Sequence, residues 1–155
     1  MSKILIVDDC EEDRFFLQRG LAKELPTHAV VGTAADGAVA VEYLSGKGKF
    51  AERELFPFPD VMFLDLKMPR MNGFEVLAWL QQQAFKNLEV IVLSNSSLEI
   101  DLKKAKAFGA SHYVVKGHPA ITAKAITRIL NGTLREPFYI GDSPLLSLRP
   151  EPPAT

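Results

Sequence analysis

The chain has a single cysteine, Cys10, among its 155 residues. That excludes an internal disulfide framework and suits a reducing compartment. No apolar run approaches the ~20 residues that a membrane-spanning helix needs. The opening Met-Ser-Lys-Ile-Leu-Ile-Val-Asp-Asp is too short in apolar residues for a signal peptide and reads as a strand. A cytoplasmic protein without membrane contacts is therefore expected. A basic run is also missing and the formal net charge is −1, so nothing suggests a nucleic-acid surface or direct DNA binding. His28, His112 and His118 are scattered without metal-ligand spacing, which argues against zinc. There is no internal repeat of the solenoid kind. What remains is ordinary for a soluble globular domain: 47% apolar and 24% charged residues, in a length that suits one domain with a proper core.

The most informative stretch is Phe63-Leu64-Asp65-Leu66-Lys67-Met68-Pro69-Arg70-Met71-Asn72-Gly73. The apolar run 61–64 reads as a buried strand. It stops on a lone carboxylate, Asp65, and a Pro/Asn/Gly loop leads into a helix over 73–83. The same alternation runs through the chain. Strands are expected at 4–7, 28–33, 61–64, 89–93 and 112–115. A first helix should bury Phe16, Leu17, Leu21 and Leu25 and end at Pro26. A second follows Asp36, a plausible N-cap. Residues 45–59 read as a long polar connection. A fourth helix spans 98–108 with Gly109 as its C-cap. A fifth spans 119–130, with Pro119 in its first turn and Asn131-Gly132 as its stop. Trp79 is expected on an outer or edge side of the third helix, serving as packing.

Five βα repeats imply an α/β fold with a parallel sheet and helices on both faces; the expected form is the doubly wound, flavodoxin-like (βα)5, for which the five-stranded order 2-1-3-4-5 is a common solution. Strands one and three are then neighbours at the switch point, and Asp8, Asp9 and Asp65 converge at their C-terminal ends. The expected organisation is a domain over 1–134 and a tail over 135–155. That tail holds five of the ten prolines and could dock through Phe138, Tyr139, Ile140, Leu145 and Leu146. It is too short for an output domain.

Three converging acids favour a hard divalent cation such as Mg²⁺, which takes one or two carboxylates plus phosphate oxygens. Two other strand ends supply what a phosphoryl group requires: the Ser94 hydroxyl and the Lys116 ammonium. Phosphoryl transfer is mostly positioning and charge stabilisation. A carboxylate nucleophile would give an aspartyl phosphate.

On these residues the chain resembles the receiver domains of bacterial two-component response regulators over roughly 1–134. The acidic pair is Asp8-Asp9. The phosphoacceptor position is Asp65, within Leu64-Asp65-Leu66-Lys67-Met68-Pro69. Ser94 holds the hydroxyl position, and Lys116 closes Gly109-Ala110-Ser111-His112-Tyr113-Val114-Val115-Lys116. The resemblance implies that Asp65 accepts a phosphoryl group from a sensor histidine kinase. It implies that Asp9, Asp65 and the main-chain carbonyl of Lys67 bind Mg²⁺, with Asp8 acting through water. Ser94 and Lys116 would contact the phosphoryl oxygens. Ser94 and Tyr113 would be the switch pair, Tyr113 turning inward and altering the face of helix four, strand five and helix five. No catalysis beyond the domain's own phosphorylation and dephosphorylation is implied. The absent output domain, the 45–59 connection and the tail resemble small receivers paired with phytochrome-type kinases. Those relatives often self-associate, so a homodimer is an expectation; the downstream protein is unnamed.

One position departs from the family pattern. A proline usually follows the lysine; here Gly117-His118 intervene before Pro119. Plainer readings also exist. Asp8 and Asp9 could cap the first helix, Ser94 could cap the fourth, Lys116 could be a surface lysine, and Tyr113 ordinary strand filling. Lys103, Lys104 and Lys106 read most simply as a solvated helix face, and Cys10, beside Asp9, as a packing residue. The rival functions are a receiver-like binding module that is never phosphorylated, a phosphatase of the haloacid-dehalogenase type, and a flavodoxin-like cofactor carrier. The phosphatase wants an acid two residues after its nucleophile, where this chain has Lys67. The cofactor carrier wants a glycine-rich or Ser/Thr-rich loop after strand one, where this chain has Asp8-Asp9.

Overall fold

The computed structural model describes residues 2–25, 28–117, 119–132, 138–140 and 143–144. Strand β1 (Lys3–Val7) leads to α1 (Glu11–Glu24), β2 (Ala29–Ala34), α2 (Gly37–Ser45), β3 (Val61–Leu64) and α3 (Gly73–Gln81). Then come β4 (Glu89–Ser94), α4 (Glu99–Ala107), β5 (His112–Val115), α5 (Pro119–Leu130), β6 (Phe138–Ile140) and β7 (Ser143–Pro144). The first five strands are parallel in the expected order, β2-β1-β3-β4-β5. The sheet also continues past β5. Strand β6 pairs with β5 in parallel, Tyr113 opposite Phe138 and Val115 opposite Ile140, and β7 turns back antiparallel on β6. The tail thus joins the sheet through Phe138, Tyr139 and Ile140; Leu145, Leu146 and Pro26 lie outside the described residues.

The inner strands alternate between two buried layers, as a sheet covered on both faces must. Leu5, Val7, Met62, Leu64, Val90, Val92, Tyr113 and Val115 face the layer that includes Tyr43, Leu77 and Leu102 of α2, α3 and α4. Ile4, Ile6, Phe63, Ile91, Leu93 and Val114 face the other, with Leu21 of α1 and Ala125, Ile126 and Ile129 of α5. Helices α1 and α5 approach closely: a Cβ at Gly20 would stand 2.9 Å from the Cβ of Ala123.

Two expectations need correction. Phe16 is not an inner residue of α1; it is 46% exposed and rests edge-on against the exposed Phe15, while Leu21 is buried and Leu17 and Leu25 partly so. The stripe toward α5 is narrower than the count of apolar residues implied. The 45–59 connection is not a plain polar loop. Phe50 is buried, and Phe50 and Phe56 stack around Tyr43. Arg53 donates to the carbonyls of Tyr43 (2.8 Å), Leu44 (3.0 Å) and Phe56 (3.2 Å), so it satisfies orphan acceptors at the end of α2. Trp79 is half-buried on α3, where it packs against the core and meets Phe85 at 5.9 Å between ring centroids. Among the described residues no helix is long and apolar enough to cross a membrane.

Candidate functional site

The site forms because β1, β3, β4 and β5 all end at one edge. The backbone N–H of Asp65 donates to the Val7 carbonyl (2.9 Å), which ties the end of β3 to that of β1. The N–H of Lys116 donates to the Ser94 carbonyl (2.7 Å), which does the same for β5 and β4. The loop after Asp65 is held by glycines. Gly73 donates to the Leu66 carbonyl (3.0 Å) and Gly37 to the Met71 carbonyl (2.9 Å). A Cβ at Gly73 would stand 2.3 Å from the Asp65 carbonyl oxygen. Between them Arg70 takes φ 65°, and Met71 N–H bonds the Pro69 carbonyl at 2.7 Å, a tight three-residue turn that is costly for a side-chain-bearing residue. Asn72 then starts α3 with a reciprocal capping box to Glu75.

The expected acids are brought together. Ligand atoms of Asp8, Asp9 and Asp65 all lie within 4.8 Å of one another. Asp8 and Asp65 are buried, while Asp9 is exposed. Hard carboxylate oxygens at that spacing fit a divalent cation of the Mg²⁺, Mn²⁺ or Ca²⁺ kind. The Lys116 ammonium sits inside the cluster, 2.6 Å from Asp8 Oδ2, 2.9 Å from Asp13 Oδ2 and 3.6 Å from Asp65 Oδ2. Burial alone would lower the Lys116 pKa; the hydrogen bonds and charges of Asp8, Asp65 and Asp13 outweigh it and raise it above the ordinary lysine value. Burial pushes the Asp65 carboxyl up to about 6, against the pull of Lys116 and with the push of Asp8. Lys116 is therefore no surface lysine, and Asp8 serves the start of α1 as well as the cluster: its Oδ1 accepts from the N–H of Cys10 (2.9 Å), the exposed N-cap residue, whose own side chain makes no cap bond.

Ser94 is buried at the last position of β4, and its Oγ accepts from Ser96 N–H (3.1 Å). The capping work at α4 falls to Ser96, whose Oγ accepts from Leu98 N–H (3.2 Å) and donates to Asp101 (2.5 Å). The Tyr113 ring is fully buried, and its hydroxyl donates to the Ser96 carbonyl (2.8 Å). The ring expected to turn inward is already inside in this structure. Lys67 N–H approaches Asp65 Oδ1 only at 3.5 Å. The chain leaves Lys116 without the family's proline. Gly117 N–H bonds Thr122 Oγ1 (3.2 Å), has open space where a Cβ would stand and takes no left-handed φ. Glycine is thus not required there by conformation. Along α4, Lys103 pairs with Glu99 and Lys104 lies over the Phe74 ring. Asp13 is the site residue that motif reading missed. It looked like one more acid in a helix's first turn, and only the tertiary structure, in which α1 packs against α5, shows its reach to Lys116. A cavity of about 100 Å³ opens beside this cluster, lined by Asp8, Asp13, Phe16, Asn95, Lys116 and Thr122 among others.

The family model of the response regulator receiver domain matches residues 4–128. Response regulator Rcp1 of Synechocystis is 31% identical over 114 residues, 73% of this chain and 75% of that one. A protein-glutamate methylesterase/protein-glutamine glutaminase of Geobacter metallireducens is 47% identical over 73 residues, 47% of this chain, which spans only 18% of that protein's length. Among solved structures, response regulator RPA3017 in red light signalling of R. palustris superposes with a TM-score of 0.76 at 28% identity, covering 84% of this chain and 92% of that one. The phosphorylated cyanobacterial phytochrome response regulator RcpA gives 0.70 at 32% identity, over 85% and 90%. The Mn²⁺-bound form of Rcp1 gives 0.69 at 28%, over 85% and 91%.

Proposed function

The chain belongs to the response regulator receiver family of two-component signal transduction, and from that premise we propose that it is a phosphoacceptor receiver acting through protein contacts, with Asp65 as its nucleophile. The observation that carries this reading is the meeting of Asp8, Asp9 and Asp65 at one sheet edge, with the Lys116 ammonium beside Asp8 and Asp65.

Asp65 attacks the phosphorus of a kinase phosphohistidine. The Oδ–P bond forms as the N–P bond breaks, and the histidine nitrogen leaves with the electron pair and takes a proton from solvent. At pH 7 a carboxyl whose pKa is about 6 is mostly ionised and so ready to attack. Lys116 supplies a positive charge beside the oxygens that gain negative charge, and Ser94 supplies a hydroxyl donor. Asp9 and Asp65 with the Lys67 carbonyl, and Asp8 through water, would hold Mg²⁺. Bound there it would screen the phosphoryl charge from the carboxylates. Two neighbours are described as phosphorylated RcpA and Mn²⁺-bound Rcp1, which supports both halves of the reading.

The signal would leave through α4, β5 and α5. The Ser96 N–H donates to Ser94 Oγ and the Ser96 carbonyl accepts from the Tyr113 hydroxyl, so a shift of the Ser94 hydroxyl toward a phosphoryl group is felt at Tyr113. We include a cytoplasmic setting, a receiver over 1–134 with its tail over 135–155, a sensor histidine kinase of the phytochrome type, and a homodimer through the same face. Strand β6 lies along β5, so that dimer would use α4, α5 and the tail rather than β5 edge to edge. Light scattering that finds a monomer with and without phosphorylation removes the dimer.

The deciding experiment is intact mass after incubation with acetyl phosphate, with and without Mg²⁺, on wild type and Asp65→Asn. The expected result is a Mg²⁺-dependent phosphoryl adduct that the variant lacks. No adduct, where another receiver in the same tube labels, favours a binding module that works unphosphorylated.

A further inference from the structure

The Lys116 ammonium has three N–H donors. One meets Asp8 Oδ2 at 2.6 Å, one meets Asp13 Oδ2 at 2.9 Å, and Asp65 Oδ2 stands at 3.6 Å. The other Asp8 oxygen, Oδ1, already accepts from Cys10 N–H at 2.9 Å. Each Asp8 oxygen keeps a second lone pair, but a cation drawn to this carboxylate meets the ammonium's positive charge 2.6 Å from Oδ2, so the two compete for Asp8. The lysine side chain is 11% exposed and that of Asp8 8%, but that of Asp13 is 41% exposed. Asp13 stands at the rim. It offers the ammonium a paired position where desolvation costs least.

We propose that Asp13 is a positioning residue that sets divalent-cation affinity at Asp8, Asp9 and Asp65 by giving the displaced Lys116 ammonium a second partner. The inference rests on the metal-binding reading above. Without Asp13, the ammonium has only Asp8 and Asp65 among the carboxylates it now contacts, and both serve the cation; it would settle on Asp8 and oppose binding. No proline follows Lys116, and the backbone there is held by the bonds of Lys116 N–H to the Ser94 carbonyl and of Gly117 N–H to Thr122 Oγ1, while the Lys116 head group is held by the carboxylates it meets.

Mn²⁺ binding to the full chain, followed by isothermal titration calorimetry, tests this on wild type, Asp13→Asn, Asp13→Glu, Lys116→Met and the Asp13→Asn/Lys116→Met double variant. Asp13→Asn is expected to weaken Mn²⁺ binding about threefold to tenfold. Asp13→Glu, which keeps the carboxylate, should recover most of the loss. In the Lys116→Met background Asp13→Asn should have little effect, because the lysine it steers is gone. Thermal melts of each variant show that it is folded. An equal loss in both backgrounds would mean that Asp13 acts through space or as a ligand, and overturns the proposal. So does an Asp13→Asn affinity equal to wild type. If wild type binds no Mn²⁺, the metal reading itself falls; if wild type binds and Asp13→Asn matches it, only this inference falls.

Discussion

Asp65 is a buried carboxyl with two opposed neighbours, and its titration makes a stability argument. Its folded pKa is about 6 against 3.8 for the free side chain. The folded state thus binds this proton more tightly than the unfolded chain does. The resulting stabilisation is complete below about pH 4 and is lost as pH rises through 6. Keeping Asp65 ionised at neutral pH therefore costs up to about 3 kcal/mol in the absence of metal. In chelator, Asp65→Asn should be more stable than wild type by on the order of 1–3 kcal/mol at pH 8, and by less at pH 5. Urea unfolding at the two pH values checks both the sign and the trend. An asparagine variant less stable than wild type at pH 8 would show that pairing with Lys116 outweighs burial. Addition of Mg²⁺ should narrow the gap, since a cation bound to the native carboxylates stabilises wild type by mass action.

At the scale of elements, the β3–α3 loop carries the site, and glycine decides its course. Gly73 opens α3, where alanine would be the better helix former by about 1 kcal/mol. Its missing Cβ matters more: that atom would sit 2.3 Å from the Asp65 carbonyl oxygen and 2.8 Å from Leu66 Cα. Both contacts are main chain and cannot rotate away. Gly73→Ala is expected to destabilise by at least about 1–3 kcal/mol, against its helix propensity. It should also weaken Mg²⁺ binding, because relief of the clash moves the segment that carries Asp65. Urea unfolding and calorimetry on the same variant report the two effects separately. Helix α1 teaches the complementary lesson. Its first turn holds Glu11, Glu12 and Asp13, equivalent by composition, yet it is Asp13 that bonds Lys116, because its place on the helix turns it toward β5.

At the scale of the molecule, the sheet does not end where the βα repeats end. Strand β6 occupies the open edge of β5, and an unpaired edge is a template for another chain. Ending the chain after residue 137 should remove that cover. A loss on the order of 1–3 kcal/mol is expected, at about 1 kcal/mol for each ladder hydrogen bond, together with more self-association in analytical ultracentrifugation. Labelling of Asp65 by acetyl phosphate should persist, because β1, β3, β4 and β5 supply the site without the tail. Unchanged stability would mean that β6 contributes nothing to the sheet.

Much of this was legible in the chain itself. Period, turn residues and strand-end polar residues specify five βα units, because a strand buried on both faces must read as an apolar run and can carry a charge only where it leaves the core. The order 2-1-3-4-5 is one common arrangement of such units, and in that order Asp8, Asp9 and Asp65 meet. The rest lay in contacts between distant elements, which no local pattern encodes. Phe16 was taken for core although α1 buries a narrower stripe. Phe50 and Arg53 looked like loop residues although they close the end of α2. Ser96, not Ser94, caps the start of α4. Asp13 was one acid among three until helix packing put its carboxylate 2.9 Å from Lys116. Periodicity and turn chemistry are written locally, so the sequence by itself determined the five βα units and the polar residues that end their strands. Distance, burial and competition for one ammonium arise only when those elements pack, so the tertiary structure alone decided which carboxylates share Lys116.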